Sequence, residues 1–155
     1  MRRHIGILLP FALLAAPAAA QTMQVSPNGA RTSVPGPEAN FTGRVTVTPL
    51  FGANEHSNAS AGQVEFTPGA RSNWHTHPAG QTLIVTSGSG WVQQEGGERI
   101  AIKPGDVIST PPGVKHWHGA TQTSSMTHVA VTPVASGKNV EGLEPVSDAQ
   151  YRRGG

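Results

Sequence analysis

Residues 74–85 read W-H-T-H-P-A-G-Q-T-L-I-V, and this stretch determines how the rest of the chain is interpreted. His75 and His77 lie one residue apart, and Gln81 follows four positions later at the start of a run of strand-forming residues. Side chains two residues apart on an extended chain point to the same side. The stretch therefore predicts β-structure that presents two imidazoles and an amide to one site.

Short runs of strand-forming residues, separated by glycine and proline, continue in both directions from this stretch. The predicted strands span residues 44–51, 63–67, 81–87, 90–94, 98–103, 106–110, 114–118 and 126–132. Turn pairs such as Pro68-Gly69 and Pro104-Gly105 end them. Short strands at such regular spacing predict an all-β sandwich or barrel.

The first twenty residues have the features of an export signal. Arg2 and Arg3 precede an apolar run, and Ala18-Ala19-Ala20 forms a small-residue cleavage site. The apolar run, about twelve residues long, is too short to span a bilayer. Residues 1–20 are therefore predicted to be a signal peptide cleaved after Ala20, which places the mature protein in the periplasm or outside the cell, free of the membrane.

The remaining chain divides into an arm, one domain and a tail. Residues 21–40 are rich in Pro, Gly, Ser and Asn and are predicted to form a flexible N-terminal arm. Residues 41–146 form the predicted β-barrel domain. Residues 147–155 form a C-terminal tail, in which Ser147 is predicted to cap a short helical turn.

Composition argues against several kinds of function. The chain has no cysteine, so it has no thiolate nucleophile, and any metal must be held by nitrogen and oxygen atoms. Loss of Arg2 and Arg3 with the signal leaves 9 of the 11 Lys and Arg residues against 9 Asp and Glu. A nearly neutral chain without a basic cluster gives no support to nucleic-acid binding.

Histidines are concentrated in segments whose residue spacing indicates β-structure. Five of the seven lie there, and they are His75, His77, His116, His118 and His128. A single strand histidine is more often a structural residue than a ligand. The combination of H-T-H, Gln81 and H-W-H instead indicates a metal site, because imidazole suits zinc, copper, iron, nickel and manganese.

The two histidine segments match the two sequence motifs of the cupin superfamily. The first reads G-A-R-S-N-W-H-T-H-P-A-G-Q-T-L-I-V-T-S-G over residues 69–88, and the second reads G-D-V-I-S-T-P-P-G-V-K-H-W-H-G-A over residues 105–120. The spacings agree throughout, but Gln81 replaces a glutamate and Ala120 replaces an asparagine. The resemblance implies a single-domain cupin β-barrel of the RmlC-like jelly-roll type.

Within the cupins, the chain resembles the small bacterial manganese-dependent hydroxynitrile lyases of the (R)-mandelonitrile lyase type. The likeness covers most of residues 41–153 and includes F-T-G-R-V, M-T-H-V-A-V and S-D-A-Q-Y-R. It implies a divalent metal ion, manganese first, with iron, zinc, nickel and cobalt as alternatives. The implied metal ligands are His75, His77, Gln81 and His116. The implied catalytic residues are His128, which is not a ligand, and His118.

Gln81 in place of a glutamate affects the reactivity expected of the metal. A neutral amide in place of a carboxylate leaves more positive charge at the metal, which favours polarising an alcohol or carbonyl oxygen over oxygen activation. A lyase that cleaves and forms cyanohydrins needs such a site, with His128 taking a proton and helping cyanide to leave as HCN. Two alternatives stay open: a cupin dioxygenase or other metal-dependent small-molecule enzyme, and a non-catalytic cupin that binds a metal or ligand.

The predicted partners are a small-molecule substrate and further copies of the chain, in a homodimer or homotetramer. Ser72 and Asn73, just before the ligands, are candidate hydrogen-bond donors to the substrate. The candidate wall residues of the substrate site are Val64, Phe66, Trp74, Leu83 and Trp117.

Overall fold

A computed structural model describes residues 22–153, which form two antiparallel β-sheets and a short C-terminal helix. The predicted signal peptide, residues 1–20, lies outside the described residues. The elements, in chain order, are β1 (Val34–Pro35), β2 (Phe41–Thr42), β3 (Val45–Phe51), β4 (Ala59–Phe66), β5 (Arg71–Ser72), β6 (His75–Thr76), β7 (Gln81–Gly88), β8 (Gly90–Gln94), β9 (Arg99–Ile102), β10 (Val107–Thr110), β11 (His116–Ala120), β12 (Met126–Pro133), β13 (Glu141–Gly142) and α1 (Asp148–Arg152).

The all-β prediction is confirmed, and each of the eight predicted strands is present with small shifts at its ends. The largest shift is in β4, which begins at Ala59 rather than at Gln63. The reason is pairing: β4 runs antiparallel to the whole of β12, from Phe66 opposite Met126 to Ala59 opposite Pro133. Hydrogen bonding to a long neighbour extends a strand beyond what its local pattern indicates.

The six-stranded sheet has the order β1-β3-β4-β12-β7-β10, and the seven-stranded sheet contains β13-β6-β11-β5-β2 with β8 and β9 paired beside β11. Apolar residues of both sheets pack in one core, which includes Val45, Phe66, Val85, Val92, Ile102 and Met126. The curled, two-sheet arrangement is that of a cupin jelly-roll barrel.

Alternation along the strands of the six-stranded sheet determines which side chains enter the interior. In β7, Gln81, Leu83 and Val85 are buried, whereas Ile84 and Thr86 are exposed. β12 follows the same rule, since its side chains at every second position, beginning with Met126, point inwards. The interior of the barrel therefore receives Gln81 from β7 and His128 from β12.

Strand β11 is buried on both faces, and the C-terminal tail explains why. His116 and His118 face the interior, whereas Trp117 packs on the other side with Val146 and Tyr151. Ser147 caps α1, as predicted, and its side chain accepts a hydrogen bond from the backbone of Gln150.

Buried Arg71 fastens this tail to the barrel. Its guanidinium donates to the carbonyl oxygen of Val146 at 2.8 Å and to Asp148 at 2.7 Å. Tyr151 adds a hydrogen bond from its hydroxyl to the carbonyl oxygen of Ala120. The tail is thus part of the barrel wall behind the histidine strand.

The last residues of the predicted N-terminal arm are paired with the barrel. Val34 and Pro35 lie opposite Val47 and Thr46 of β3, and the carbonyl oxygen of Asn40 accepts a hydrogen bond from the backbone of Asn73. Within residues 22–153, the structure contains no helix of the length and apolarity that crossing a membrane would require.

Candidate metal centre

All six residues predicted for the site lie around one point in the barrel interior. They come from both sheets: His75 from β6, His77 just after it, Gln81 from β7, His116 and His118 from β11, and His128 from β12. His75 lies directly opposite His116 across the β6–β11 pair, and their ring centroids are 4.3 Å apart. The ring of His77 is 5.0 Å from that of His75 and 5.5 Å from that of His116.

The three histidines predicted to bind the metal are held in the same way. In each, Nδ1 bonds to a backbone carbonyl oxygen: that of Asn73 for His75, of Val114 for His116 and of Asn139 for His77. Because a carbonyl oxygen can only accept, Nδ1 must carry the hydrogen, and Nε2 is left with a lone pair. This is the outer hydrogen bond that orients metal-binding histidines in proteins.

Two observations show that these residues fit a cation. Oε1 of Gln81 lies 3.3 Å from Nε2 of His116. Both atoms are acceptors once Nδ1 of His116 holds the hydrogen, so they do not bond to each other. In addition, buried Nε2 of His77 has no hydrogen-bond partner among residues 22–153. Lone pairs that converge without a proton between them are satisfied by a positive ion, and neutral nitrogen and oxygen donors suit a divalent metal.

His118 lies in the group of histidine nitrogens that are spaced to hold a metal ion, and the predicted ligand His77 does not. Ring nitrogens of His75, His116 and His118 lie within 4.8 Å of one another, a spacing that could hold a metal ion. Nδ1 of His118, however, faces Nε2 of His128 at 3.1 Å instead of a backbone carbonyl. His118 therefore lies beside His75 and His116 and also contacts His128.

Burial lowers the pKa of all five histidines and so favours their neutral form. Loss of solvation lowers the pKa of His75 to about 3, with a further decrease from nearby His116. The same cause lowers the pKa of His116 to about 4 and that of His128 to about 4. It also lowers the pKa of His77 and takes that of His118 well below its usual value. An unperturbed imidazole has a pKa near 6.5, and the decrease for His128 comes from its complete burial.

A cavity of about 310 Å³ opens next to these nitrogens. It is of the size that holds a small organic molecule. Two of the candidate wall residues, Val64 and Trp74, line it, together with Phe41, Val47 and Val140. The polar groups on its surface include Gln81, His118 and His128. A small ligand in the cavity would thus meet an apolar wall on one side and the histidines on the other.

The other three wall candidates have different positions. Trp117 packs against the C-terminal tail on the far side of β11, because alternation turns it away from His116 and His118. Phe66 lies in the core, with its ring centroid 5.8 Å from that of His118 and 5.5 Å from that of His128. Leu83 is fully buried on the inward face of β7.

Ser72 and Asn73 line the cavity, but their hydrogen bonds are directed elsewhere. The hydroxyl oxygen of Ser72 accepts from the backbone of His118, and the side-chain nitrogen of Asn73 donates to Ala39. One N–H of the Asn73 amide is thus used within the protein, and the donor roles of Ser72 and Asn73 towards a substrate stay predictions.

Two residues that hold predicted ligands from distant parts of the chain were missed by sequence reasoning. Thr132 accepts a hydrogen bond from the Gln81 amide, and its position on the inward face of β12, four residues after His128, could have identified it. Asn139 accepts from His77 through its backbone carbonyl, 62 residues away in the chain. No sequence pattern indicates such a contact.

Comparison with known proteins is consistent with this architecture. A family model described as Cupin domain matches residues 62–132, which include the six predicted site residues. The (R)-mandelonitrile lyase of Granulicella tundricola is 50% identical over 131 residues, which are 84% of this chain and 100% of that protein. The resemblance to cupins of the (R)-mandelonitrile lyase type, predicted from the sequence, is thereby confirmed.

Solved structures agree. A cupin-like protein from Thermotoga maritima is 39% identical, with a TM-score of 0.72, and the match covers 76% of this chain and 90% of that one. A polyketide cyclase from Streptomyces resistomycificus has a TM-score of 0.67 over 84% of this chain and 91% of its own. At 17% identity, the cyclase shows the shared fold alone.

Proposed function

The chain belongs to the cupin family, and we propose that it is a metal-dependent carbon–carbon lyase that cleaves cyanohydrins to a carbonyl compound and HCN, and forms them in reverse. The observation that carries the proposal is the 50% identity to (R)-mandelonitrile lyase along that protein's whole length. The cavity beside the histidines supports it, because an aromatic aldehyde needs an apolar wall next to a polar reacting centre.

In this proposal His75, His77, Gln81 and His116 hold a divalent ion, with manganese as the first expectation. When bound, such an ion acts as a Lewis acid that makes an oxygen-bound proton easier to remove. The neutral amide of Gln81 leaves that effect stronger than a carboxylate would. The tautomers fixed by Asn73, Val114 and the carbonyl of Asn139 keep the three Nε2 atoms ready for this role.

The His118–His128 pair supplies the base. One hydrogen lies between Nδ1 of His118 and Nε2 of His128. Whichever ring carries it, one of the two outer nitrogens, Nε2 of His118 or Nδ1 of His128, retains a lone pair. That nitrogen accepts the hydroxyl proton, and the second ring stabilises the positive charge through the 3.1 Å hydrogen bond.

Proton transfer to the histidine pair accompanies cleavage of the C–CN bond of the cyanohydrin. As the hydroxyl proton moves to the pair, the oxygen electrons form the carbonyl and the C–CN bond breaks with its electrons on cyanide. Burial lowers the pKa of His128 to about 4, so the protonated pair is a good acid. It returns the proton to cyanide, which leaves as HCN, and the pair is neutral again for the next cycle.

The test is release of benzaldehyde from racemic mandelonitrile by residues 21–155 loaded with Mn²⁺. We expect release by the wild type and its loss in His75→Ala, which lacks a ligand. His128→Ala is expected to bind Mn²⁺ and to be slower by about 10²–10⁴-fold, the usual contribution of a positioned base. His56→Ala, in an exposed loop, is the matched control and should react like the wild type.

Three results would count against parts of this proposal. Full activity of His128→Ala would remove the histidine pair from the mechanism. If His75→Ala were as active as the wild type, the metal would have no role in the reaction. Absence of release by wild-type protein with measured bound metal would reject aromatic cyanohydrins and bring the dioxygenase alternative forward, to be tested by oxygen consumption.

A further inference from the structure

Thr132 is a cross-strand neighbour of Gln81. Val131 of β12 lies opposite Thr82 of β7, so the next residues along each strand, Thr132 and Gln81, are adjacent at the end of the pair. Both side chains are buried and line the cavity. Nε2 of Gln81 donates a hydrogen bond to the hydroxyl oxygen of Thr132 at 3.4 Å.

The amide of Gln81 has two ends with opposite requirements. Its oxygen faces Nε2 of His116 at 3.3 Å and is directed to the ligand nitrogens. Its NH₂ group must then point away from them, into the protein. A buried donor without an acceptor costs about 1–3 kcal/mol. The oxygen can therefore stay turned towards a metal at low cost only if an acceptor lies behind the nitrogen, and the hydroxyl oxygen of Thr132 is in that place.

We propose that Thr132 is a positioning residue, whose hydroxyl holds the amide of Gln81 with its oxygen towards the bound metal. The inference rests on the metal-ligand assignment in the proposed function and does not depend on the substrate. Coordination of the oxygen draws electron density from the amide and makes its N–H groups better donors. The hydrogen bond to Thr132 is therefore stronger in the metal-bound protein than in the metal-free one.

Hydrogen bonds to neighbouring residues hold the backbone at Thr132. Its carbonyl oxygen accepts a hydrogen bond from Ser60 of β4, which lies directly opposite in the sheet. The hydroxyl of Ser60 in turn accepts from the side chain of Asn139 at 3.0 Å. The backbone carbonyl of Asn139 is the group that holds His77. One connected set of hydrogen bonds thus supports two predicted ligands, Gln81 and His77.

The experiment measures Mn²⁺ affinity by electron paramagnetic resonance of the free ion, which needs no substrate. The test variant is Thr132→Val, which keeps the shape of the side chain and removes the hydroxyl. We expect its dissociation constant to rise by about tenfold or more, the effect typical of groups that orient metal ligands. Thr132→Ser, which restores the hydroxyl, should stay within about threefold of the wild type. Circular dichroism establishes that both variants are folded.

A double variant with Gln81→Ala distinguishes positioning of Gln81 by Thr132 from a general structural effect of Thr132→Val. In Gln81→Ala the amide is absent, so adding Thr132→Val should cause no further loss of Mn²⁺ affinity. Wild-type affinity in Thr132→Val, or an equal loss in the Gln81→Ala background, would overturn the inference. Lack of Mn²⁺, Co²⁺ and Zn²⁺ binding by the wild type would overturn it together with the ligand assignment. If the variants change Mn²⁺ affinity as expected but the wild type does not cleave mandelonitrile, the proposed substrate alone would be overturned.

Discussion

At the scale of single residues, the second ring nitrogen distinguishes the histidines from one another. His75, His77 and His116 each give the hydrogen on Nδ1 to a backbone carbonyl, so each presents a lone pair on Nε2. His118 shares its Nδ1 with another imidazole, that of His128. A ring whose proton can shift to its neighbour is suited to proton transfer, whereas a ring with a fixed tautomer is suited to coordination.

This difference predicts which histidines bind the metal. We expect His77→Ala to lose Mn²⁺ affinity by more than the about 10–100-fold typical of outer groups. His118→Ala should retain the affinity within about tenfold, because the four predicted ligands are intact. Equilibrium dialysis with metal analysis measures both. The reverse order would make His75, His116 and His118, whose ring nitrogens lie within 4.8 Å, the ligand set.

At the scale of elements, strand β11 determines the geometry of the site because it is packed from every side. Its backbone approaches β5 so closely that only glycine fits at position 119. A Cβ added to Gly119 would lie 2.6 Å from the carbonyl oxygen of Ala70 and from the Cα of Arg71. Both neighbours are backbone atoms, which cannot rotate away. The position of Gly119 therefore sets how closely β11, with His116 and His118, approaches β5.

Gly119→Ala is accordingly expected to reduce the free energy of unfolding by about 3 kcal/mol, the upper part of the range for overpacking a core. Urea unfolding followed by tryptophan fluorescence measures the loss. Gly62→Ala in β4 is the matched control, because a Cβ there would lie 3.7 Å from its nearest neighbour, the carbonyl oxygen of Thr48. Equal stability of the two variants would show that β11 can shift, contrary to the packing described above.

At the scale of the whole molecule, five histidines share an interior formed by two sheets. Taken together, they are kept neutral at pH 7, because burial lowers the pKa of each. Neutral imidazoles are the form that a metal ion requires. The barrel thus keeps the site ready to bind a metal at pH values where free histidine is already protonated.

The same burial predicts how stability depends on pH. A histidine with a lowered pKa in the folded protein takes up its proton more readily after unfolding. Stability is therefore fully present above about pH 6.5 and falls as the pH decreases from there towards about 4. By pH 5 the loss is roughly 2 kcal/mol for each histidine of this kind, such as His128.

Urea unfolding of metal-free protein in a chelator at pH 7, 6 and 5 tests this dependence. We expect a decreasing midpoint, and a smaller decrease in His128→Gln, which has one buried imidazole fewer. Saturating Mn²⁺ at pH 7 should raise the midpoint, because the ion binds the folded state alone. Constant metal-free stability between pH 7 and pH 5 would contradict the buried, neutral state of the cluster.

The amino-acid sequence by itself determined the class of fold and indicated a metal site. Alternation in β7 and β12 and the spacing of H-T-H, Gln81 and H-W-H are local properties of an extended chain, in which every second side chain shares a face. They sufficed to predict eight strands and a histidine-rich metal site, whereas the six individual residues, which the structure brings close together, were implied by the resemblance to the cupin lyases. The cap at Ser147 was equally predictable, because it depends on neighbours within four residues.

The tertiary structure alone decided how these residues act together. The carbonyl of Asn139 orients His77 across 62 residues, and β11 pairs His116 with His75. Burial shifts the pKa of His128 far from the value of a free imidazole. Trp117, which the sequence had suggested as a cavity wall, packs on the opposite face against the tail. Local alternation tells which side a residue faces, whereas its partners, solvation and proton affinity depend on strands brought together from distant parts of the chain.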